Sequence, residues 1–256
     1  MYGKYRKNGE ANENRNGNTD GNVHGTVNGM AWGVNPNLEA VFKRVGRRYG
    51  YGDVMASYDG FTDFKVRWQR STGWISFQVS DYLSDAPDEV LEGIAGTLFG
   101  RITGRDGENG YPEVVRDWLT GPSFPGTKRD VFLERVGRTE PGTMGEERDL
   151  RDSYDRLRGS GLIDDMDDVD LRWYHGDGYG AGRSSVLMRS AIVSDALDSA
   201  GIPDEIVDYV LYMQLANIAR GFDPGADGTA AYSDMLSGFE GRDEIEGILR
   251  GMGLMY

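Results

Sequence analysis

The chain has 256 residues, with 42 acidic and 28 basic side chains, a net charge of −14 and no cysteine. This length suits one large domain or two of roughly 100 residues; the missing thiols exclude disulfides and thiolate metal sites, and the negative balance disfavours nucleic-acid binding over the whole surface. No apolar run reaches the ~18 residues of a membrane span, and MYGKYRKNGE leads into no apolar signal-peptide core, so the expectation is a soluble cytoplasmic protein without a membrane partner.

In chain order, residues 1–37 read as a disordered tail, because GEANENRNGNTDGNVHGTVNG is rich in Asn and Gly and has almost no aliphatic surface to offset its ordering entropy. Leu38, Val41, Phe42 and Val45 then recur at helical spacing. Val66–Trp68 and Trp74–Val79 alternate as strands do. Pro87-Asp88-Glu89 opens a further helix, with proline setting the first turn and the carboxylates complementing the dipole. Residues 121–145 read as a linker. Beyond it the order returns: Leu150, Tyr154 and Leu157 at helical spacing, Leu171–Trp173 and Ser185–Val193 as strands, and Pro203-Asp204-Glu205 before the apolar VLYMQLANIA.

Four landmarks recur in this order: an Arg-Trp pair (Arg67-Trp68, Arg172-Trp173), a Ser-Asp-x-Leu turn (Ser80, Asp81, Leu83; Ser194, Asp195, Leu197), Pro-Asp-Glu, and a closing helix. The fold expectation is therefore α+β, a pseudo-symmetric body of two copies over 38–120 and 146–256. Each copy is a helix, a small β-sheet and a buried Pro-led helix.

The second copy resembles the SprT-like zinc metallopeptidases of the zincin-like group, in the tandem archaeal type. There a strand pair precedes a Pro-led helix bearing H-E-x-x-H. In PDEIVDYVLYMQLANIARGF the motif positions hold Met213-Gln214-Leu215-Ala216-Asn217, the third-histidine position is Gly228, and YSDMLSGFEGRDEIEGILRGMG is similar to the family's closing helices. The first-copy equivalents are Thr97, Leu98 and Arg101. What the resemblance implies is a zincin-like tandem repeat with a degenerate motif. Two imidazoles at i and i+4 share a zinc ion while the intervening Glu takes a proton from its water. Asn217 is a poor zinc ligand and Gln214 accepts no proton near neutral pH. The chain has only two histidines, His24 and His175, so neither a metal site nor a cofactor is expected.

Met213, Gln214 and Asn217 either fill the space of a lost site, their amides bonded to neighbours, or line a cleft that holds an extended peptide without cutting it. The glycine-rich HGDGYGAGR precedes a strand rather than a helix, so it reads as an inter-strand loop, not a phosphate cradle. DPGADG (223–228) reads as a turn and DDMDDVD (164–170) as a solvated acidic turn. Trp173, Tyr209 and Tyr212 read as core. Lys43, Arg44, Arg47 and Arg48 form a basic patch, read as a salt-bridged helix face with nucleic-acid contact as the alternative.

The functional expectation is thus a metallopeptidase-like protein without catalysis, binding a polypeptide or partner protein that adds to the edge of the second-copy sheet. A hydrolase with non-standard ligands, or with metal acquired from a partner, is the enzymatic alternative. Oligomeric state is left open.

Overall fold

The computed structural model describes residues 36–105, 110–137, 139, 142–166, 168–176, 178–222 and 229–255, with 33–256 as one compact unit. The tail expected over 1–37 falls almost wholly outside the described residues, as do the turn at 223–228 and its Gly228. Among the described residues there are eight helices and two three-stranded sheets, a mixed α+β fold.

Helix α1 (Leu38–Arg48) leads into strands β1 (Asp53–Asp59), β2 (Val66–Ser71) and β3 (Trp74–Ser80), a single 3-10 turn, and helix α2 (Asp88–Thr103). Helices α3 (Glu113–Thr120) and α4 (Ser123–Val136) follow. The order then recurs as α5 (Leu150–Gly159), β4 (Asp170–Tyr174), β5 (Gly182–Ser185), β6 (Ser190–Ser194), a 3-10 turn and α6 (Asp204–Ala219), before α7 (Thr229–Ser237) and α8 (Arg242–Gly251). Pairing recurs too. β1 runs parallel to β3 and β2 antiparallel to it; β4 runs parallel to β6 and β5 antiparallel to it.

Several side chains correspond between the halves. Leu38, Val41, Phe42 and Val45 are buried on α1 as Leu150, Ser153, Tyr154 and Leu157 are on α5. Arg44 of α1 pairs with Glu92 of α2, and Arg156 of α5 makes a two-pronged bond to Asp208 of α6 at 2.7 and 2.8 Å. Each opening helix is thereby tied to its Pro-led helix at the same level. The Arg-Trp landmark, in contrast, is coincidental: Arg67-Trp68 lies on β2, whereas Arg172-Trp173 lies on β4, the partner of β1 in the strand order. Any aliphatic-Arg-Trp run suits a strand, so its recurrence carries no register.

Burial separates the two sheets. On β3, Ile75, Phe77 and Val79 are buried against the helices while Ser76 and Gln78 alternate outward, the pattern of a sheet covered on one face. On β6 all of Ser190–Ser194 are buried, the pattern of a sheet covered on both. Gly46 marks how tightly α1 packs: a Cβ there would stand 2.7 Å from Val54 Cγ2 and 2.8 Å from Phe99 Cζ.

The second cover comes from the stretch expected as linker. Residues 121–145 contain α4, whose Phe124, Lys128, Val131, Phe132 and Leu133 are buried. Arg129 Nε donates to Met188 O at 2.7 Å and its Nη2 to Asp168 O at 2.8 Å, and the Arg183 guanidinium stands 5.7 Å from the Phe132 ring. Leu133 and Arg172 line one small cleft. These contacts lay α4 along the face of the second sheet that carries Arg172, Ile192 and Arg183, neighbours in register.

An adjoining side of α4, which carries Lys128 and Arg135 seven residues apart, is clasped to the loop between β3 and α2. Arg135 makes two hydrogen bonds to Asp81, at 2.7 and 2.5 Å, donates to Phe61 O at 2.9 Å and lies 5.0 Å over the Tyr82 ring. Lys128 Nζ, wholly buried, meets Asp85 Oδ1 at 2.7 Å. Burial pulls the Lys128 ammonium below the usual lysine range, opposed by Asp85 and Asp81.

The two pairs should respond oppositely to truncation. Asp81→Ala strands a nearly buried guanidinium and should cost about 3 kcal/mol in urea unfolding. Lys128→Met removes the desolvated charge and leaves Asp85, a third exposed, open to water, so stability should stay within about 1 kcal/mol or rise. A large loss in the second variant would show that the lysine pair, not the arginine pair, holds α4.

Candidate binding site

Pro203, with φ of −60°, opens α6, and eleven of its sixteen residues are buried, which explains the unbroken apolar run. The two amides one turn apart have a local reason. Asn217 Nδ2 donates to Ser184 Oγ of β5 at 3.0 Å, and Asn217 Oδ1 accepts from Arg220 at 3.2 Å. Gln214 lies beneath Gly182 of β5, where a Cβ would stand 3.3 Å from Gln214 Nε2 and 2.7 Å from Ile192 O. The Tyr232 hydroxyl from α7 donates to Met213 O at 3.0 Å.

Met213, Gln214 and Asn217 are therefore gathered on the side of α6 that faces β5 and α7. A thioether and two amides, one of them bonded at both ends, do not suit a zinc ion. Among the described residues no group of three or more His, Asp or Glu side chains is placed to hold a metal ion.

The first-copy equivalents share one side of α2 in the same way but take separate partners. Thr97 Oγ1 donates back to Gly93 O of its own helix at 3.0 Å, and Leu98 is half-buried. Arg101 lies 5.6 Å from the ring of Tyr111, which stacks at 6.2 Å on Phe222, just beyond α6. Burial pushes the Tyr111 phenol up, with Arg101 pulling it back.

The basic patch divides. Lys43 pairs with Glu39 four residues earlier, and Arg44 is the inter-helix tie to Glu92. Arg47 and Arg48 are exposed in the last turn of α1, where cations complement the dipole. The acidic run at 164–170 is more engaged than a solvated turn, with Asp165 on Tyr154 and Arg158, Asp168 on Arg189, and Asp170 on Arg172. Trp173, Tyr209 and Tyr212 are core, each with its polar atom bonded: to Thr143 O, Glu246 and Met235 O.

Sequence reasoning missed the role of His175. Its Nδ1 stands 2.6 Å from Asp195 Oδ2, tying the glycine-rich loop after β4 to the turn before α6, beside a cavity of about 390 Å³. Each Ser-Asp-x-Leu turn thus gives its aspartate a basic partner, Arg135 for Asp81 and His175 for Asp195. The partners come from non-corresponding elements, so spacing carried no signal for them.

The two antiparallel edge strands differ sharply. All of β5 is half-buried, and Arg183 is held by Asp63 and by the Tyr179 ring at 4.5 Å. On β2 every residue from Arg67 to Ser71 is exposed. Ser80 N donates to Lys65 O at 3.1 Å, so by antiparallel alternation residues 67, 69 and 71 share ladder bonds with β3, while Val66, Trp68 and Arg70 turn their backbone N–H and C=O outward. Comparison with protein-family models, with curated proteins and with solved structures finds no match.

Installing ligands tests the placement of the α6 residues. Because positions 213 and 217 share one helix face, Met213→His, Gln214→Glu, Asn217→His and Gly228→His together should confer measurable zinc affinity in a chelator competition, with little or no peptidase activity. A folded variant binding zinc no better than the parent would mean that these positions do not converge.

Proposed function

We propose that the chain is a non-catalytic, peptidase-like binding protein, and that an extended polypeptide adds to it as a strand along β2. The observation that carries this reading is the open edge of β2, with outward N–H and C=O groups at Val66, Trp68 and Arg70. Main-chain pairing of this kind supplies affinity without requiring a deep pocket. The peptidase-like element rests on the resemblance to SprT-like proteins: a strand pair, β5 and β6, runs through Pro203 into a helix whose Met213 and Asn217 stand in the motif positions. The lack of catalysis follows from Gln214, which has no basic form near neutral pH, and from the bonded amide of Asn217.

The binding edge moves to the first copy in this reading, because β5 is occupied by Asp63, Tyr179 and Gln214 from its own chain. Fluorescein-labelled extended peptides of mixed sequence should bind and emerge uncut after prolonged incubation with added zinc. Trp68→Pro removes one outward N–H without touching the ladder to β3, a substitution that edge strands tolerate, and should weaken binding at least tenfold, about 1.4 kcal/mol. Cleaved peptides, or affinity unchanged by Trp68→Pro in a folded variant, would overturn the reading.

A further inference from the structure

The open edge is not chemically neutral. Lys65, Arg67 and Arg70 lie on or beside β2, whose own residues include no carboxylate. At the far end of the strand, Arg70 Nη1 donates to Ile102 O at 3.1 Å and reaches Tyr51 Oη at 3.5 Å, which brings the end of β2 to the carboxyl end of α2. The exposed Arg105 follows that helix end. Helix α1, packed beside α2 through Gly46 and Phe99, ends in Arg47 and Arg48. Each helix end contributes about half a negative charge. Among the described residues, the two together offset about one of the four arginines Arg47, Arg48, Arg70 and Arg105, and Asp53 another, so the described part of the strand end is positive on a chain of net charge −14.

The cations are also placed rather than loose. Lys65 Nζ and the Arg67 guanidinium each lie 4.9 Å from the Phe61 ring, and Arg70 lies 5.6 Å from the ring of Trp68, which is 39% exposed. Holding long side chains flat on aromatic rings lowers the entropy lost when they engage a partner.

A charged edge has a protective role as well, since it keeps identical strands from pairing. Repulsion between two copies of β2 removes a second molecule of this chain, joined edge to edge through β2, as the occupant. It leaves a strand of opposite charge.

We infer that the polypeptide accepted by β2 is acidic, with an acid–apolar–any–acid order along the added strand; this rests on the strand-addition reading above. The order follows from the pleat. Val66, Trp68 and Arg70 share the helix-side face and Arg67 and Gln69 the other, as their partners Val79, Phe77, Ile75, Gln78 and Ser76 do. Carboxylates of the added strand stand opposite Arg67 and Arg70, and an apolar side chain stands opposite Trp68.

The test uses two labelled peptides identical except that glutamate in one is glutamine in the other, with binding read by anisotropy at 50 and 500 mM salt. The glutamate peptide should bind at least fivefold tighter at low salt, the margin should shrink at high salt, and Arg67→Gln should narrow it while leaving the glutamine peptide unaffected. Trp68→Pro should weaken both. Equal binding of the two peptides overturns the charge inference and leaves strand addition standing. Binding of neither overturns strand addition itself and the inference with it. Glutamate-peptide binding that survives Trp68→Pro, or that oligothymidylate displaces, identifies a general polyanion patch and overturns the inference.

Discussion

The arrangement of the molecule depends on the clasp between Arg135 and Asp81. A guanidinium that is only 14% exposed must have its donors satisfied, and the carboxylate of Asp81, the carbonyl of Phe61 and the face of Tyr82 do this together. Because Arg135 belongs to α4 and Asp81 to the turn that links β3 to α2, satisfying one charge fixes a helix to a loop 54 residues away in sequence. α4 then presents Arg129 and Phe132 to the other half. The helix between the halves is in this sense a shared wall, and what it covers on one sheet it leaves uncovered on the other.

That asymmetry divides labour between two similar halves. The second sheet is buried on both faces, its edge strand β5 is held by Asp63 and Tyr179, and Asn217 of α6 bonds into it. The first sheet keeps a polar open face and an exposed edge, with its cations laid along Phe61 and Trp68. The half whose helix carries Met213, Gln214 and Asn217 is thus the closed one, and the proposed contact with a partner falls to the other.

Much of this was legible from local pattern. The helical spacing of Leu38, Val41 and Phe42, the Pro-Asp-Glu starts and the alternation of Trp74–Val79 each located an element, because each reflects a backbone period or a helix end. The strand-like run Ser185–Val193 breaks into β5 and β6 around a turn where Arg189 takes a φ of 48°, rare for a non-glycine residue and unmarked by any glycine or proline. β1 was missed because DVMASYD is a strand in which only Val54 is buried, and α4 because SFPGTKRDVFLERV opens with proline and glycine residues that read as loop. The site was less legible than the fold. The salt-bridged face expected at Arg44 names no partner, and the loop residue His175 no Asp195, since both pairings depend on which elements become neighbours.

The most direct measurement is native-state hydrogen exchange followed residue by residue, in the parent and in Asp81→Ala under conditions where both remain folded. If α4 is a shared wall, releasing its clasp to the first half should speed exchange not only in α4 but also at Ala191, Ile192 and Val193 of β6, in the sheet that α4 covers. Faster exchange confined to α4 and the Ser80–Pro87 loop, with β6 as protected as in the parent, would contradict the account.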